Sequence, residues 1–460
     1  MLPSQNTISI SSVALNIVYL YREVGIPVVN ITGYTKAFGT QPGDDVTNSF
    51  NNAHAWNAVY VEDGWFLIDV TWGSGYVKRR ERRYIPCLNN AYFLTDPDVF
   101  VTDHLPCAIE QYQHFESSPE WQLVVNPLSR SQFRTIINFD RFGKDCGLRA
   151  LSHRTCMVEV DKSIDVLLEE TYVPMLDYVA FLFKDERKLE TYSYTYIKSK
   201  YIASVHVTPP TAGTFTLQVY GRRLLDGSRA DFQPLVKYSL NCVTSYDNVI
   251  PYPFHHTLYG ASRDLDTYGV AEVEEVYHVA EEGEIIISVK PNRRVDILPR
   301  LYFQDNPTDL RENCFVDYSE CFKFLNIIVR LPYEGYFKLS LFARKESGKN
   351  LTPFMTHLLK CNKPCHDGLF PVTHEYAFHY KCCIIEPLTK NIKPGVDIYF
   401  TIKSPVINTL KIDNVIFRQT TDDVTFEGTF RASGYNSFIT VEGCDDDGVF
   451  HSLYTFQVGH

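Results

Sequence analysis

Short stretches in which apolar and polar residues alternate dominate the chain from about residue 138 to its end. Successive side chains of a β-strand point to opposite faces of a sheet, so this alternation predicts strands with one buried and one exposed face. Turn residues separate the stretches at the spacing that is typical of antiparallel β-sandwiches. The clearest examples are YIASVHV, TFTLQVY, EIIISVK, YFKLSLF and DIYFTIK.

The same pattern repeats along this part of the chain. Segment 210–220 (PTAGTFTLQVY) matches segment 332–342 (PYEGYFKLSLF), and both open with a turn made by proline and glycine. A third, weaker copy ends with segment 434–441. The repeat is too long for a solenoid, so it predicts an array of antiparallel β-sandwich modules. We place three modules, at residues 138–247, 248–366 and 367–460.

The chain before residue 138 has a different pattern. A helix is predicted over Ser12–Val24, and Gly25 is expected to end it because glycine tolerates left-handed backbone. The apolar face of this helix would consist of Val13, Ile17, Leu20 and Val24. An apolar strand and a hairpin that turns at Glu62–Gly64 follow the helix. A helix followed by strands indicates an α+β domain over residues 1–137.

Composition and charge limit the classes of partner. A chain of 460 residues is too long for one hydrophobic core. Its net charge of −11 disfavours nucleic acid and anionic membrane surfaces as partners. The sequence predicts no transmembrane helix and no secretory signal, so we expect its twelve cysteines to be free thiols. No feature of the sequence indicates an oligomeric state.

The predicted hairpin carries a histidine–aspartate pair, His54 and Asp69. A turn at Glu62–Gly64 would place the two side chains nearly opposite each other, displaced by a residue or two. We therefore expect them within hydrogen-bond reach, roughly 2.6 to 3.2 Å apart. A carboxylate in that place fixes the histidine tautomer and stabilises the imidazolium. Three tryptophans are expected to shield the pair from water: Trp56, Trp65 and Trp72.

A histidine–aspartate pair in a hairpin is usually structural, but the motifs around this pair change that interpretation. They resemble the kyphoscoliosis peptidase and hillarin group of the transglutaminase-like superfamily. The motifs are HAWN at His54, DGW at Asp63, IDVTW at Ile68, WGSG at Trp72, AYFLTDP at Ala91, HLP at His104 and WQL at Trp121. The resemblance implies an incomplete papain-like domain over residues 1–137, truncated at its N-terminus, followed by β-rich modules. It also implies a Cys–His–Asp triad, with His54 as the base and Asp69 as its partner.

The resemblance also implies where the nucleophilic cysteine should lie, at the start of the helix before Gly25. That position is occupied by Ile10, and the first cysteine, Cys87, follows both His54 and Asp69. Ser9, Ser11 and Ser12 lie near the position, and Ser11 and Ser12 are explained by helix capping. A Ser–His–Asp site remains an alternative.

Two functions stay open on this sequence. The first is a non-catalytic scaffold that binds proteins. The resemblance implies that it lies in the cytoplasm near the cytoskeleton, with cytoskeletal proteins among its partners. The second is a cysteine peptidase or transglutaminase-like enzyme whose cysteine is missing from the chain as given. In either case no cofactor and no metal are expected.

The remaining candidates have simpler explanations. The basic run Lys78–Arg83 fits a solvated loop, and the run Asp445–Gly448 fits a turn between strands. Segment 361–366 (CNKPCH) has two cysteines and a histidine but no second matching pair, which a zinc site would need. Three histidines are expected to pack or form hydrogen bonds without a catalytic role: His104, His256 and His374.

Overall fold

The computed structural model describes residues 10–459 except 38, 79–82, 111–113, 274, 319–323, 347, 349, 435–436 and 447. Two compact units divide the chain, Met1–Val249 and Ile250–His460. β-Strands are the commonest element of the described chain, and their residues outnumber helical residues several-fold. Within it, no helix has both the length and the apolar character that crossing a lipid bilayer requires.

The first part of unit 1 combines short helices with an antiparallel sheet. The sheet has six strands in the order β6-β3-β2-β1-β7-β8, and β4 and β5 form a separate hairpin. The elements are α1 (Ile10–Glu23), β1 (Val28–Thr35), β2 (Ala53–Val61), β3 (Gly64–Ile68), α2 (Val70–Gly73), β4 (Gly75–Lys78), β5 (Arg83–Pro86), β6 (Phe93–Thr95), α3 (Pro97–Phe100), β7 (His104–Glu110), β8 (His114–Ser117) and α4 (Arg130–Thr135). Helix α5 (Arg141–Asp145) follows this part and precedes the first strand of the second part.

The predicted hairpin is confirmed as β2 and β3. Val61 pairs with Gly64, so the turn consists of Glu62 and Asp63. Both turn residues have positive φ, +50° and +61°. Two such residues make the turn whose twist matches that of the flanking strands, and the turn therefore sets the register of the whole hairpin.

The predicted helix is also present, but its buried face is rotated from the one that the sequence indicated. Of the predicted face, Val13 and Ile17 are half-buried, and Ile17 packs against the same cluster as Val18. Ala14 and Val18 are buried, whereas Leu20 and Val24 are 63% and 70% exposed. Val18 belongs to a cluster that β1, β2 and β3 complete with Val28, Val59 and Ile68. The helical period was therefore right and its phase wrong, because contact with the sheet decides which of several apolar stripes is covered. Gly25, at φ +76°, ends the helix as expected.

This correction predicts a difference between two substitutions on α1. Val18→Ala should lower the free energy of unfolding of unit 1 by about 2 kcal/mol, since it removes buried methyl groups. Leu20→Ala should change it by less than about 0.5 kcal/mol, because the side chain is exposed. Urea unfolding followed by tryptophan fluorescence measures this energy, since all four tryptophans lie in unit 1. Equal losses in the two variants would contradict the observed phase.

The second part of unit 1 is a β-sandwich. Its two sheets have the orders β10-β17-β16-β12-β13 and β14-β15-β11-β9. The strands are β9 (Leu148–Ala150), β10 (Met157–Asp161), β11 (Ile164–Glu170), β12 (Met175–Lys184), β13 (Arg187–Leu189), β14 (Ser193–Ser199), β15 (Ile202–Val207), β16 (Gly213–Arg223) and β17 (Gln233–Thr244).

Unit 2 begins with a similar sandwich. One sheet has the order β18-β26-β25-β22, with β20 paired to β26, and the other has the order β19-β21-β24-β23. Its strands are β18 (Gly260–Ala261), β19 (Val270–Val273), β20 (Tyr277–Ala280), β21 (Glu284–Pro291), β22 (Leu298–Phe303), β23 (Cys314–Asp317), β24 (Leu325–Arg330), β25 (Gly335–Arg344) and β26 (Leu351–Cys361).

The last part of unit 2 winds one nine-stranded sheet around a core. The strand order is β27-β35-β34-β31-β32-β33-β30-β28, and β29 pairs with β35. The elements are β27 (Val372–Thr373), α6 (Glu375–His379), β28 (Cys383–Glu386), β29 (Asn391–Ile392), β30 (Asp397–Lys403), β31 (Thr409–Ile412), β32 (Val415–Gln419), β33 (Thr425–Arg431), β34 (Ser437–Cys444) and β35 (His451–Val458).

The sequence repeat between the first two sandwiches has a structural counterpart. Gly213 opens β16 and pairs with Cys242, and Gly335 opens β25 and pairs with Cys361. Both glycines have φ near +125°, at +124° and +128°, a conformation that strongly favours glycine. The prediction of purely antiparallel modules was incomplete, because each of the three parts also contains one parallel pair: β10–β17, β20–β26 and β29–β35.

Candidate active site

His54 and Asp69 form a buried hydrogen bond. His54 Nε2 lies 2.7 Å from Asp69 Oδ2, which confirms the predicted reach. The register pairs Asn57 with Ile68, which places Asp69 opposite Trp56. His54 precedes Trp56 by two residues on β2, so its side chain lies on the same face of the sheet as that of Trp56. The predicted displacement is therefore also confirmed. Both side chains are almost fully removed from water.

Asp69 is held by its backbone as well as by its side chain. It lies directly after β3 and caps α2, because its Oδ1 accepts the Trp72 backbone N–H at 3.0 Å. The Asp69 N–H donates to the Tyr92 carbonyl at 2.9 Å. The cap thus fixes one carboxylate oxygen, and the other points at His54.

The bond to Asp69 decides which nitrogen of His54 is available. Nε2 carries the proton that is donated to the carboxylate, so Nδ1 is the nitrogen that can accept a proton from another group. Trp72 stacks on the ring at 5.3 Å between centroids, and Trp56 lies at 6.3 Å. Trp65 makes its ring contacts with Tyr60 and Trp121 instead, so two of the three expected tryptophans flank the histidine.

A second histidine reaches the same carboxylate, and sequence reasoning had given it no part in the site. His104 Nε2 lies 3.2 Å from Asp69 Oδ2, and His104 Nδ1 lies 2.6 Å from Asp103 Oδ1. The HLP motif contained this histidine, but its distance along the chain gave no sign of the contact. The expectation that His104 forms hydrogen bonds is confirmed.

Gly33 makes the approach of the two histidines possible. Strand β1 lies between β2 and β7, and Gly33 pairs with His54 on one side and Pro106 on the other. A Cβ atom on Gly33 would lie 2.5 Å from the Trp56 ring and 2.2 Å from the Leu105 carbonyl oxygen. The missing side chain therefore leaves the space in which rings from β2 and β7 meet.

Asp103 connects His104 to a buried lysine. The Lys144 ammonium, on α5, donates to Asp103 Oδ2, and the Tyr92 hydroxyl donates to the same oxygen at 2.9 Å. The side chains of Lys144 and Asp103 are each 2% exposed. Five buried ionisable groups thus form one chain of hydrogen bonds: Lys144, Asp103, His104, Asp69 and His54.

Within this chain the contacts favour two ionised carboxylates on either side of a protonated His104, while burial lowers the pKa of Lys144. Burial by itself favours neutral carboxyl groups, but hydrogen bonds from His104 and His54 lower the pKa of Asp69 to about 2. Lys144 and His104 likewise hold the pKa of Asp103 below its usual range against burial. Burial opposes charge on His104 too, yet the two carboxylates raise its pKa above the ordinary value. Each carboxylate therefore lies next to at least one cation.

The nucleophile position is occupied by the first residue of α1, Ile10, whose side chain lies outside the described part of the molecule. The helix is tied to the strand of His54, since Asn57 Nδ2 donates to the Ala14 carbonyl at 3.1 Å. No cysteine joins the cluster of His54, Asp69 and His104 among the described residues. Cys107 is buried further along β7, and burial raises its pKa to about 11, so the thiol is protonated.

The same three ligand atoms lie close enough together to hold a metal ion. His54 Nε2, Asp69 Oδ2 and His104 Nε2 are all within 4.8 Å of one another. The 2.7 Å hydrogen bond between His54 and Asp69 favours a proton in this space. The neighbouring Lys144 cation also disfavours a second positive ion, which would have to be buried beside it.

The other candidates from the sequence play structural parts or lie outside the description. His374 Nε2 bonds to Thr455 Oγ1 at 2.8 Å, and the His256 ring packs on Phe254 at 4.5 Å, so both expectations are confirmed. Cys361 donates its thiol to the Lys363 carbonyl at 3.1 Å. The basic run joins β4 to β5, and its residues 79–82 are outside the described residues, as is residue 447 of the acidic run.

Comparisons with known proteins agree with the architecture. The family model for the KY-like, immunoglobulin-like domain matches residues 142–253 and 270–372. Among solved structures, an I-band fragment of titin with domains I67–I69 is 12% identical and covers 70% of this chain and 98% of its own, with a TM-score of 0.15. The described chain is thus mostly β, with immunoglobulin-like sandwiches.

Curated relatives match over most of the chain. Kyphoscoliosis peptidase of Mus musculus is 27% identical over 76% of this chain and 50% of its own length. The Homo sapiens protein of that name gives the same identity and coverage. Hillarin of Drosophila melanogaster is 21% identical over 70% of this chain and 42% of its own. The chain spans about half the length of the curated relatives it matches, and it resembles the kyphoscoliosis peptidase and hillarin-like group.

Proposed function

We propose that this protein is a non-catalytic, protein-binding scaffold of the kyphoscoliosis peptidase-like kind. Its α+β part is a papain-like, transglutaminase-like domain, and its sandwich modules supply surfaces for partners. One observation carries the proposal. His54 and Asp69 have the geometry of a base and its partner, but no thiol belongs to their cluster in the described part of the chain.

The chemistry of the site explains why that observation matters. A Cys–His–Asp site works when the histidine takes the proton of the thiol and the thiolate attacks a carbonyl carbon. The protein retains the proton acceptor at His54 Nδ1 and the orienting carboxylate of Asp69. An isoleucine at the nucleophile position has no proton to give and no lone pair with which to attack. The retained pair can therefore move a proton but cannot form an acyl intermediate.

The partners we propose are proteins, with cytoskeletal proteins among them, in the cytoplasm. Tandem modules support this role, because several linked surfaces raise the apparent affinity for a multivalent partner. The net charge of −11 argues against nucleic acid and anionic membranes.

A second candidate function is a cysteine peptidase or transglutaminase-like enzyme whose nucleophile lies outside this chain as given. The buried network favours it, because five ionisable groups are costly to hold away from water. Apolar residues at these positions would stabilise a purely structural domain equally well.

Assays on the purified chain test whether it is catalytic as it stands. We expect no transfer of an amine to a glutaminyl peptide and no cleavage of casein above the level of a His54→Ala variant. We also expect Ile10→Cys to create a thiol that iodoacetamide alkylates at least about tenfold faster with His54 than with His54→Ala, since one unit of thiol pKa corresponds to that factor. His206→Ala, in the first sandwich, is the control. Turnover by the unaltered chain that His54→Ala abolishes would contradict the scaffold.

A further inference from the structure

The buried chain of hydrogen bonds does not end within the α+β part. Lys144 lies on α5, inside the range 142–253 that matches the immunoglobulin-like family model. Its ammonium reaches back to Asp103, which immediately precedes β7. The first immunoglobulin-like segment therefore contributes a charged group to the surroundings of His54 and Asp69.

We propose that Lys144, Asp103 and His104 form a positioning relay that holds the Asp69 carboxylate in place and thereby fixes the ring of His54. The relay acts on the same pair as the proposed function and deepens it. Lys144 and His104 are positioning residues, since they act on His54 only through Asp69.

The contacts of His104 set the direction of the relay. Its two ring nitrogens each face a carboxylate oxygen, Asp103 at 2.6 Å and Asp69 at 3.2 Å. Carboxylates only accept hydrogen bonds, so both nitrogens must donate and the ring must be an imidazolium. Phe100 stacks on this ring with centroids 4.0 Å apart and keeps it from turning.

As a consequence, both oxygens of the Asp69 carboxylate accept hydrogen bonds. Oδ2 accepts the N–H groups of His54 and His104, and Oδ1 accepts the backbone N–H of Trp72. Charge-assisted hydrogen bonds of this kind are stronger than neutral ones and set orientation. A carboxylate that is held at both oxygens gives the His54 ring one position and one tautomer.

The role of Lys144 is electrostatic. Without a cation at that end, two buried carboxylates would share a single imidazolium, which leaves a net negative charge in the interior. Lys144 balances this charge and keeps Asp103 ionised, so that Asp103 can retain the second N–H of His104. The ammonium also lies 5.7 Å from the centre of the Tyr92 ring, a further favourable contact.

Solvent exchange of one proton tests the relay in the full chain. With ¹⁵N-labelled histidine, NMR detects the Nε2–H of His54 and both ring N–H groups of His104. We expect Lys144→Met and His104→Gln to remain folded by circular dichroism. In both variants the His54 Nε2–H should exchange with water about tenfold faster or more, the factor that corresponds to one charge-assisted hydrogen bond. His104→Gln provides the test if Lys144→Met does not fold.

Two substitutions serve as matched controls, and neither should change this exchange rate. Lys188→Met removes a lysine that is 40% exposed and paired with Glu190, and His206→Gln removes a histidine that contacts Asp165 at 3.1 Å. A lower melting temperature with an unchanged exchange rate in both relay variants would mean that the groups only stabilise the fold, and it would overturn the relay.

Zn²⁺ supplies a separate check. Stoichiometric Zn²⁺ binding to the full chain that His104→Gln abolishes would also overturn the relay, because a metal would then replace the shared protons. Turnover by the unaltered chain would contradict the proposed function alone. The exchange measurement requires neither a nucleophile nor a substrate, so the two proposals fail separately.

Discussion

Asp69→Asn is expected to lower the free energy of unfolding of unit 1 by about 3–5 kcal/mol, the cost of removing one partner from a buried ion pair. The carboxylate accepts hydrogen bonds from His54, His104 and the Trp72 backbone. An amide group cannot accept all three, and it leaves the buried imidazolium of His104 with one neighbouring carboxylate, Asp103, instead of two. Urea unfolding followed by tryptophan fluorescence measures the change.

The pH dependence of the same variant gives a second measurement. The pKa of Asp69 is lowered from 3.8 to about 2 in the folded protein, so its stabilisation is present above pH 3.8 and is lost as the pH falls towards 2. The difference between the wild-type protein and Asp69→Asn should therefore shrink in that range. Asp63→Asn is the control, because Asp63 is exposed in the hairpin turn and asparagine tolerates its positive φ. Equal losses from the two substitutions would show that Asp69 is not held as described.

The second large effect concerns unit 2, where His357 is buried as a neutral ring. His357 Nδ1 lies 3.1 Å from the Glu275 carbonyl oxygen and 3.1 Å from His278 Nε2. Since a carbonyl only accepts, Nδ1 carries the proton and Nε2 is the unprotonated nitrogen. Nε2 has no hydrogen-bond partner among the described residues. Burial, together with the nearby His278, lowers the pKa of His357 from 6.5 to about 3.

Acidification is therefore expected to destabilise unit 2 through His357. The unfolded chain binds a proton below pH 6.5 and the folded ring does not, so stability falls as the pH drops through the range from 6.5 to about 3. At pH 5 the loss is about 2 kcal/mol, at 1.36 kcal/mol for each pH unit. His357→Asn keeps an N–H donor near the Glu275 carbonyl and cannot titrate. The free energy of unfolding of this variant should therefore fall by about 2 kcal/mol less than that of the wild-type protein between pH 7 and pH 5.

Unfolding is followed by far-UV circular dichroism at pH 7 and pH 5. Because all four tryptophans lie in unit 1, fluorescence identifies the transition of unit 1, and the remaining change in circular dichroism measures unit 2. His366→Asn is the control, since His366 is exposed in the same unit. If the wild-type protein and His357→Asn lose the same stability between the two pH values, His357 is not the buried neutral group described above.

Local rules were sufficient for the hairpin and for the repeat. The turn residues Glu62 and Asp63 fix which residues of β2 and β3 face each other, so the contact of His54 with Asp69 follows from the sequence. The repeated glycines Gly213 and Gly335 are similarly local, because each opens a strand in a conformation that other residues rarely adopt. Both features depend on backbone geometry over a few residues.

The phase of α1 and the role of His104 could not be obtained in that way. Helix α1 has apolar residues around much of its surface, and only the position of the sheet decides that Val18 is covered and Leu20 is not. His104 reaches Asp69 because β1 pairs with both β2 and β7, and because Gly33 on β1 leaves room for the rings to meet across it. Neither the position of the sheet nor the order of its strands can be predicted from the residues that neighbour Val18 or His104 in the sequence.

By itself, then, the sequence determined the repeated β-rich modules, the hairpin, the His54–Asp69 pair and the absence of a cysteine at the position of Ile10. These depend on spacing within single elements and on residue identity. The tertiary structure alone decided that His104, Asp103 and Lys144 extend the pair into one buried network, with its last member on α5. The physical reason is that strand order, and the exclusion of water that follows from it, bring charges together that are far apart along the chain.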